Sequence, residues 1–170
     1  MTDSAMDPRA LADRVAAILG TQVDAVVSAD ELASSQNPAL LVIRGVDAAD
    51  LLSLDPVIAG RSAPTALIIS DGYLGTEGPD VPSALAGAAA VALARSIAVR
   101  RHTTGRVNVV CVPESLVGDA GSQRGPLTID DPAGAVADVV AFVLGPDSSY
   151  IDGQVLYANG GRHLFSSLTA

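Results

Sequence analysis

Aromatic residues and cysteine are scarce in this sequence. Aromatic side chains make up 3% of the 170 residues and tryptophan is absent, so a core has to be built from aliphatic side chains. The single cysteine, Cys111, excludes an internal disulfide and a metal site made of several cysteines. Because Cys111 lies within the apolar run VNVVCVP, we interpret it as a buried structural thiol rather than a nucleophile.

Positive charge is scarce as well. Lysine and arginine together number 10 against 19 aspartates and glutamates, which gives a formal net charge of -9. This balance argues against nucleic acid and anionic membrane surfaces as partners, since both attract basic proteins. The two histidines, His102 and His163, lie far apart in the sequence and leave almost no ligand set for a metal.

Targeting and membrane-spanning patterns are missing from the sequence. We recognise no signal peptide, and no apolar run reaches the ~20 residues that span a bilayer. We therefore expect a cytoplasmic protein that has no membrane partner.

Short apolar runs alternate with helical patterns along the chain. This alternation predicts an α/β protein with a shortened Rossmann-like three-layer fold and a mostly parallel sheet of about five strands. The length fits a single domain over residues 1–170. The predicted strands are 23–27, 39–44, 66–70, 106–112 and 153–158. The predicted helices are 9–19, 30–33, 47–54 (limited by Pro56), 83–101 and 131–144, the last capped by Asp130 or Asp131.

The helix predicted over 83–101 has an unusual composition. From Val81 to Ala94 it carries no charge, and alanine, the best helix former, dominates it. Because it is apolar on every side for most of its length, we expect it to be buried within the fold or against another subunit.

Three blocks in the C-terminal part carry a family resemblance. They are ALARSIAV (92–99), GRVNVVCVP (105–113) and VADVVAFVLGPDSSYIDGQVLYANGG (136–161). In this order they resemble the short-chain dehydrogenase/reductase family, in particular 3-oxoacyl-reductase-like and hydroxyacyl-CoA-dehydrogenase-like members. The resemblance covers 66–170, which would form the family's C-terminal half. Residues 1–65 would then be a reduced nucleotide-binding half.

The resemblance also indicates where catalytic residues would lie. Active members carry a tyrosine and a lysine on the long helix, and counting back from Arg95 places Ser83 and Gly87 at these two positions. Reduction of a carbonyl needs a proton donor with a lowered pKa, and neither replacement supplies one. Ser70 matches the third catalytic residue, although a serine that caps the turn after a strand is the plainer interpretation. The resemblance therefore implies no intact catalytic set.

The nucleotide-binding pattern of the family is missing too. Its glycine-rich turn brings backbone amides to a pyrophosphate at a helix N-terminus. Before residue 66 the only glycines are Gly20, Gly45 and Gly60, at no useful spacing. Glu114 also follows Pro113, where the family has a glycine. We therefore expect this chain to bind no cofactor, with any NAD(P) held by a partner subunit.

These observations lead to a hypothesis with two alternatives. The hypothesis is a non-catalytic pseudoenzyme subunit that supports an active NAD(P)-dependent short-chain dehydrogenase in a heterodimer or heterotetramer. The alternatives are a divergent oxidoreductase acting on a carbonyl, hydroxyl or acyl substrate, and a module that binds a small ligand. Whether the chain is itself an enzyme stays open. The predicted interface residues are Ser83, Ala84, Gly87, Ala88, Val91, Ala94, Arg95, Tyr157, Leu164 and Phe165.

Overall fold

The computed structural model describes residues 7–26, 28–43, 48–74, 81–100, 105–117, 127, 129–161 and 163. One sheet contains the strands β1 (Asp24–Val26), β2 (Ala39–Val42), β3 (Thr65–Ser70), β4 (Val107–Val112) and β5 (Val155–Tyr157). The helices are α1 (Pro8–Leu19), α2 (Ala29–Ser34), α3 (Ala48–Gly60), α4 (Val81–Arg100), α5 (Glu114–Val117) and α6 (Pro132–Leu144). No helix in these ranges is long and apolar enough to cross a membrane.

All neighbouring strands of the sheet are parallel, and their order across the sheet is the order of the chain, β1-β2-β3-β4-β5. The central strands β3 and β4 are apolar along almost their whole length and buried on both faces, as helices covering both faces require. The predicted α/β class and parallel sheet are confirmed.

Two apolar cores lie on the two faces of the sheet. Helices α1 and α6 pack on one face, and α2, α3 and α4 pack on the other. Every connection between the described strands steps across the sheet in the same direction. The first three connections run through α2, α3 and α4 on one face, whereas the last runs through α6 on the face that also carries α1. The β4–β5 connection therefore has the opposite hand to the three before it, although crossovers between parallel strands share one hand in about 98% of cases.

The structure differs from the sequence prediction at α3 and at α5. Helix α3 continues through Pro56 to Gly60 instead of ending before the proline. Proline removes the bond to the carbonyl of Leu52, but Leu52 is 71% exposed, so water can satisfy that oxygen, while Ile58 anchors the next turn in the core. The second difference is α5, a one-turn helix where the sequence predicted only loop.

Helix α4 matches its predicted range closely but is not buried all round. Its inner side, with Ala90, Ala94 and Ile97, is fully buried against the sheet, while its outer side is exposed. Val81, Leu85 and Val99 are 62%, 64% and 84% exposed. Because its apolar residues surround the helix, the sequence pattern could not indicate which side meets solvent.

Asp131 joins the two helices of the α1/α6 face. Its carboxylate accepts a hydrogen bond from the Gly134 backbone N–H at 2.9 Å, which makes it the N-cap of α6 and resolves the choice between Asp130 and Asp131. The Arg14 guanidinium of α1 donates to both of its oxygens at 3.1 and 3.0 Å. The bond from Gly134 and those from Arg14 hold the pKa of Asp131 below its usual value.

This arrangement predicts a specific pH dependence of stability. Because the folded-state pKa of Asp131 is lowered, its contribution is fully present above the unfolded pKa of about 3.9 and is lost as the pH falls through the folded value. We expect the difference in unfolding free energy between wild type and Asp131→Asn to be constant from neutral pH down to about pH 4 and to shrink below it. Urea unfolding at a series of pH values measures this. A difference that grows in acid would contradict it.

Candidate functional site

The carboxyl edge of the sheet, where its parallel strands end, is the natural place for a ligand in an α/β fold. Ser70 ends β3 there, and Asp71 follows it. Asn159 lies just beyond β5 at the same edge. Asp71 and Asn159 are 1% and 2% exposed, so this edge holds polar side chains that are almost completely buried.

The hydroxyl of Ser70 is engaged in a local turn. Its Oγ accepts a hydrogen bond from the Gly72 backbone N–H at 3.0 Å. This is the geometry of a serine that caps the turn after a strand, which the sequence favoured over a catalytic role.

Asp71 and Asn159 form a bridge between the ends of β3 and β5, across the end of β4. The Asn159 Nδ2 donates to Asp71 Oδ2 at 3.3 Å. Since a carboxylate only accepts, the Asn159 amide oxygen must face His163, whose Nδ1 lies 3.0 Å from it and therefore donates. The His163 ring stacks on Tyr157, with ring centroids 4.1 Å apart. The set fixes the chain beyond β5 to the edge of the sheet.

Cys111 lies next to this bridge but has no reactive character. It is fully buried in β4, and burial together with the nearby negative charge of Asp71 raises the pKa of its thiol. A thiol that stays protonated is a poor nucleophile, which agrees with the structural role predicted for it.

Two of the positions identified by the family resemblance lie in the first half of α4. Ser83 lies in the first turn of the helix, and Gly87 is buried one turn further on. Gly87, which the sequence resemblance aligns with the family's lysine, has no side chain and no charge to offer to a ribose or a phenol.

Helices α1, α2 and α6 begin at the carboxyl edge with acidic groups, whereas α4 has none in its first turn. In α1 the Asp7 carboxylate accepts from the Arg9 N–H at 3.0 Å, and in α6 Asp131 caps the first turn. Helix α2 is capped by Ser28 and has Asp30 and Glu31 in its first turn. These carboxylates compete with phosphate for the same N–H groups and repel it.

The strand order of the sheet matters for ligand binding as well. Nucleotides bind α/β sheets in the crevice where the strand order reverses direction. Among the five strands that the structure describes, the order never reverses. The described strands therefore lack that reversal, while the connections after β3 and β4 run over opposite faces of the sheet, through α4 and α6.

The predicted interface residues differ in how far they are exposed. Ala88 and Arg95 are exposed on α4, Ala84 and Val91 are half-buried, and Tyr157 is 40% exposed on β5. Gly87 and Ala94 are buried within this chain, Ala94 in the core on the α4 face of the sheet. Leu164 and Phe165 lie outside the described residues.

The sequence blocks that resemble the family hold one another together. Arg106 donates to the carbonyl oxygen of Gly145 at 2.7 Å and to Ser148 Oγ at 3.2 Å. Asn108 donates to the Ile151 carbonyl oxygen at 2.9 Å and accepts from the Gln154 N–H at 3.0 Å. The block that begins β4 is thus bonded to the loop before β5. Arg106 and Asn108 therefore have structural roles in this part of the fold.

A cavity of about 230 Å³ lies at the opposite edge of the sheet, beside Arg61. The Arg61 side chain points its guanidinium at oxygens of its own chain: Nη1 donates to the carbonyls of Leu32 and Ser35, each at 2.7 Å. Nη2 donates to the Asn37 carbonyl at 2.5 Å. We interpret Arg61 as a structural clamp between α2, α3 and the sheet.

Sequence reasoning missed the bridge at the carboxyl edge and the Arg61 clamp. A signal for the first was available, because Asp71 and Asn159 each follow an apolar strand and the ends of parallel strands meet at one edge. No comparable signal existed for Arg61, whose partners are backbone carbonyls on a different helix and loop.

Comparisons of the sequence and the structure with known proteins support the fold described above. No protein-family model and no curated protein matches the sequence. A solved short-chain dehydrogenase/reductase (glucose/ribitol dehydrogenase) from Brucella melitensis matches 79% of this chain and 71% of its own, with 15% identity and a TM-score of 0.52. A putative betaketoacyl-ACP reductase matches 91% of this chain and 92% of its own, with 18% identity and a TM-score of 0.58.

A third solved structure is landomycin C-6 ketoreductase LanV with bound NADP and rabelomycin. It matches 74% of this chain and 61% of its own, with 16% identity and a TM-score of 0.53. The chain is thus a parallel α/β protein of shortened Rossmann type. More narrowly, its fold is a shortened short-chain dehydrogenase/reductase-like fold.

Proposed function

We propose that this chain is a non-catalytic subunit that assembles with an active NAD(P)-dependent short-chain dehydrogenase in a heterodimer or heterotetramer. The observation that carries the proposal is the exposed apolar side of α4, which nothing in the described chain covers. The sequence resemblance adds that the buried Gly87 of this helix aligns with the family's lysine. A helix that lacks the family's catalytic side chains but has an apolar outer surface is better suited to binding a partner than to catalysis.

The hydrogen bonds within the family-like blocks support this proposal. Arg106 and Asn108 bond to the loop 145–154, so the features that this sequence shares with the family serve the framework. Ser70, the one matching catalytic residue, caps its own turn.

The absence of a cofactor in this chain is part of the proposal. Its support is the carboxylates of Asp7 and Asp131 at helix N-termini, which oppose the binding of a dinucleotide's phosphates. The partner subunit would then hold NAD(P).

A divergent oxidoreductase is the second candidate. The buried polar bridge from Asp71 to Asn159 and His163 favours it, because buried polar groups at the carboxyl edge are common in active sites. A module that binds a small ligand at this edge would use the same groups.

Two measurements on the purified chain test the proposal. Titration with NADH and NADPH should show no saturable binding at micromolar concentration. Co-expression with an active short-chain dehydrogenase encoded beside it should give a hetero-oligomer in native mass spectrometry. Saturable cofactor binding by the chain alone would favour the oxidoreductase, and a stable monomer in every co-expression would favour the ligand-binding module.

A further inference from the structure

The residue pair Asn159 and Gly160, just beyond β5, carries a chemical reactivity of its own. An asparagine loses its side-chain amide when the backbone nitrogen of the next residue attacks its Cγ. A glycine in the next position hinders this attack least, because it has no side chain. The other two asparagines are followed by Pro38 and Val109. A proline nitrogen carries no hydrogen and valine is β-branched, so Asn159 is the reactive asparagine of this chain.

The structure leaves the attacking nitrogen of Gly160 available. In the part of the chain that the structure describes, the Gly160 N–H donates no hydrogen bond, whereas the Val109 N–H donates to the Gln154 carbonyl oxygen at 2.8 Å. Gly160 has a φ of +62°, and a Cβ there would lie 2.7 Å from the Leu127 carbonyl oxygen, so this position requires glycine. The turn therefore depends on the same residue that makes Asn159 reactive.

The side-chain amide of Asn159 is restrained by the bridge at the carboxyl edge. Its Nδ2 donates to Asp71 Oδ2 at 3.3 Å, its Oδ1 accepts from His163 Nδ1 at 3.0 Å, and the residue is 2% exposed. Because Nδ2 leaves as ammonia in the reaction, its bond to Asp71 has to break first. The reaction is therefore tied to a local opening of the bridge.

The reaction replaces the amide with a carboxylate. The Gly160 nitrogen forms a bond to Asn159 Cγ and gives up its proton, the bond from Cγ to Nδ2 breaks, and ammonia leaves. Water then opens the cyclic imide and gives aspartate or isoaspartate. Either product places a second carboxylate beside Asp71 at an almost completely buried position, where the two disfavour each other's ionisation. The original bridge cannot form again.

We propose that Asn159 is a deamidation site and that its product is a one-way switch, which releases the chain beyond β5 from the carboxyl edge of the sheet. The bridge to Asp71 and His163 sets the rate, since only the opened form reacts. This inference is independent of the proposed function, because every group involved belongs to this chain and no partner subunit takes part.

Incubation of the purified chain in mildly alkaline buffer tests the site. Trypsin cuts after arginine and, because the sequence has no lysine, leaves each of the three asparagines in a separate peptide: 15–44, 107–124 and 125–162. Tandem mass spectrometry should show aspartate and isoaspartate accumulating at Asn159 and at neither Asn37 nor Asn108. If Asn159 stays intact in the native chain but is converted in guanidinium chloride, the site is wrong.

His163→Ala tests the restraint. Loss of one hydrogen bond should raise the open fraction, and with it the deamidation rate at Asn159, by about two- to tenfold. The matched control is Arg9→Ala, exposed on α1, which should leave the rate unchanged. An unchanged rate in His163→Ala, or equal rates in the native and the unfolded chain, would show that the bridge does not restrain Asn159.

An exchange of the two bridging side chains tests the switch. Asn159→Asp imitates the product and should speed amide hydrogen exchange of residues 157–161 by about tenfold or more. Adding Asp71→Asn restores one amide and one carboxylate, so the exchange should return toward the wild-type rate. Circular dichroism confirms that each variant is folded. Exchange at the wild-type rate in Asn159→Asp, or no recovery in the double variant, would overturn the switch.

Discussion

Replacing Arg61 with alanine should lower the free energy of unfolding by about 3–5 kcal/mol. The side chain is 7% exposed and donates to three backbone carbonyls, those of Leu32, Ser35 and Asn37, and to Thr65 Oγ1. Removing it leaves these oxygens with fewer donors and opens a cavity under α2. Urea unfolding followed by far-UV circular dichroism measures the loss, which is a large part of a typical domain's stability of about 5–15 kcal/mol.

Two further variants control for charge and for folding. Arg9→Ala removes an exposed arginine on α1 and should change the unfolding free energy by less than about 0.5 kcal/mol. Arg61→Lys keeps the charge but loses the planar guanidinium with its several donors. The unfolding free energy of this variant should therefore lie between those of wild type and Arg61→Ala, and it can be measured even if the alanine variant does not fold. A loss below about 1 kcal/mol for Arg61→Ala would show that water replaces the guanidinium without difficulty.

Gly153→Ala should be the second large effect, with a loss of about 2–4 kcal/mol. Gly153 has a φ of +65°, a backbone conformation that residues other than glycine rarely adopt. A Cβ at this position would also lie 2.8 Å from the Cβ of Ala98 on α4. Both the backbone strain and the contact oppose the alanine. Thermal and urea unfolding of the variant give the sum of the two.

Gly20 provides a control for the strain alone. It has a φ of +66°, but a Cβ there would meet nothing within 4 Å. Gly20→Ala should therefore lower the unfolding free energy only by the backbone strain. The further loss in Gly153→Ala then measures the unfavourable contact with α4. Adding Ala98→Gly to Gly153→Ala should recover that difference in a double-mutant cycle, apart from the cost of about 1 kcal/mol for glycine within a helix. Equal losses at the two glycines would mean that the loop shifts freely away from α4.

The sequence predicted the layered architecture because apolar periodicity reports local structure. Each predicted strand overlaps an observed one, and the helices differ mainly at their ends. The error at Pro56 shows the limit of this reasoning. Proline has a fixed local cost, but the exposed position of Leu52 and the burial of Ile58 in the core decide whether the helix continues.

The candidate site was predicted less completely, because it depends on contacts between distant segments. The position of Ser70 and its turn followed from the sequence, whereas the bridge between Asp71 and Asn159 joins residues 88 apart. The surface of α4 could not be read from its composition either. Alanine is compatible with core and with surface, and only the packed structure distinguishes Ala94, fully buried, from Ala88 on the outer side.

The sequential strand order has a consequence for how the chain folds. Each strand from β2 onward pairs with the strand just before it in the chain, so the sheet can grow by addition at a single edge. Among the described strands, none after β2 has to return to β1, which limits the length of the loops that must close and their entropic cost. The sheet can therefore assemble in the order of synthesis, with β1 and β2 paired before the residues of β5 have left the ribosome.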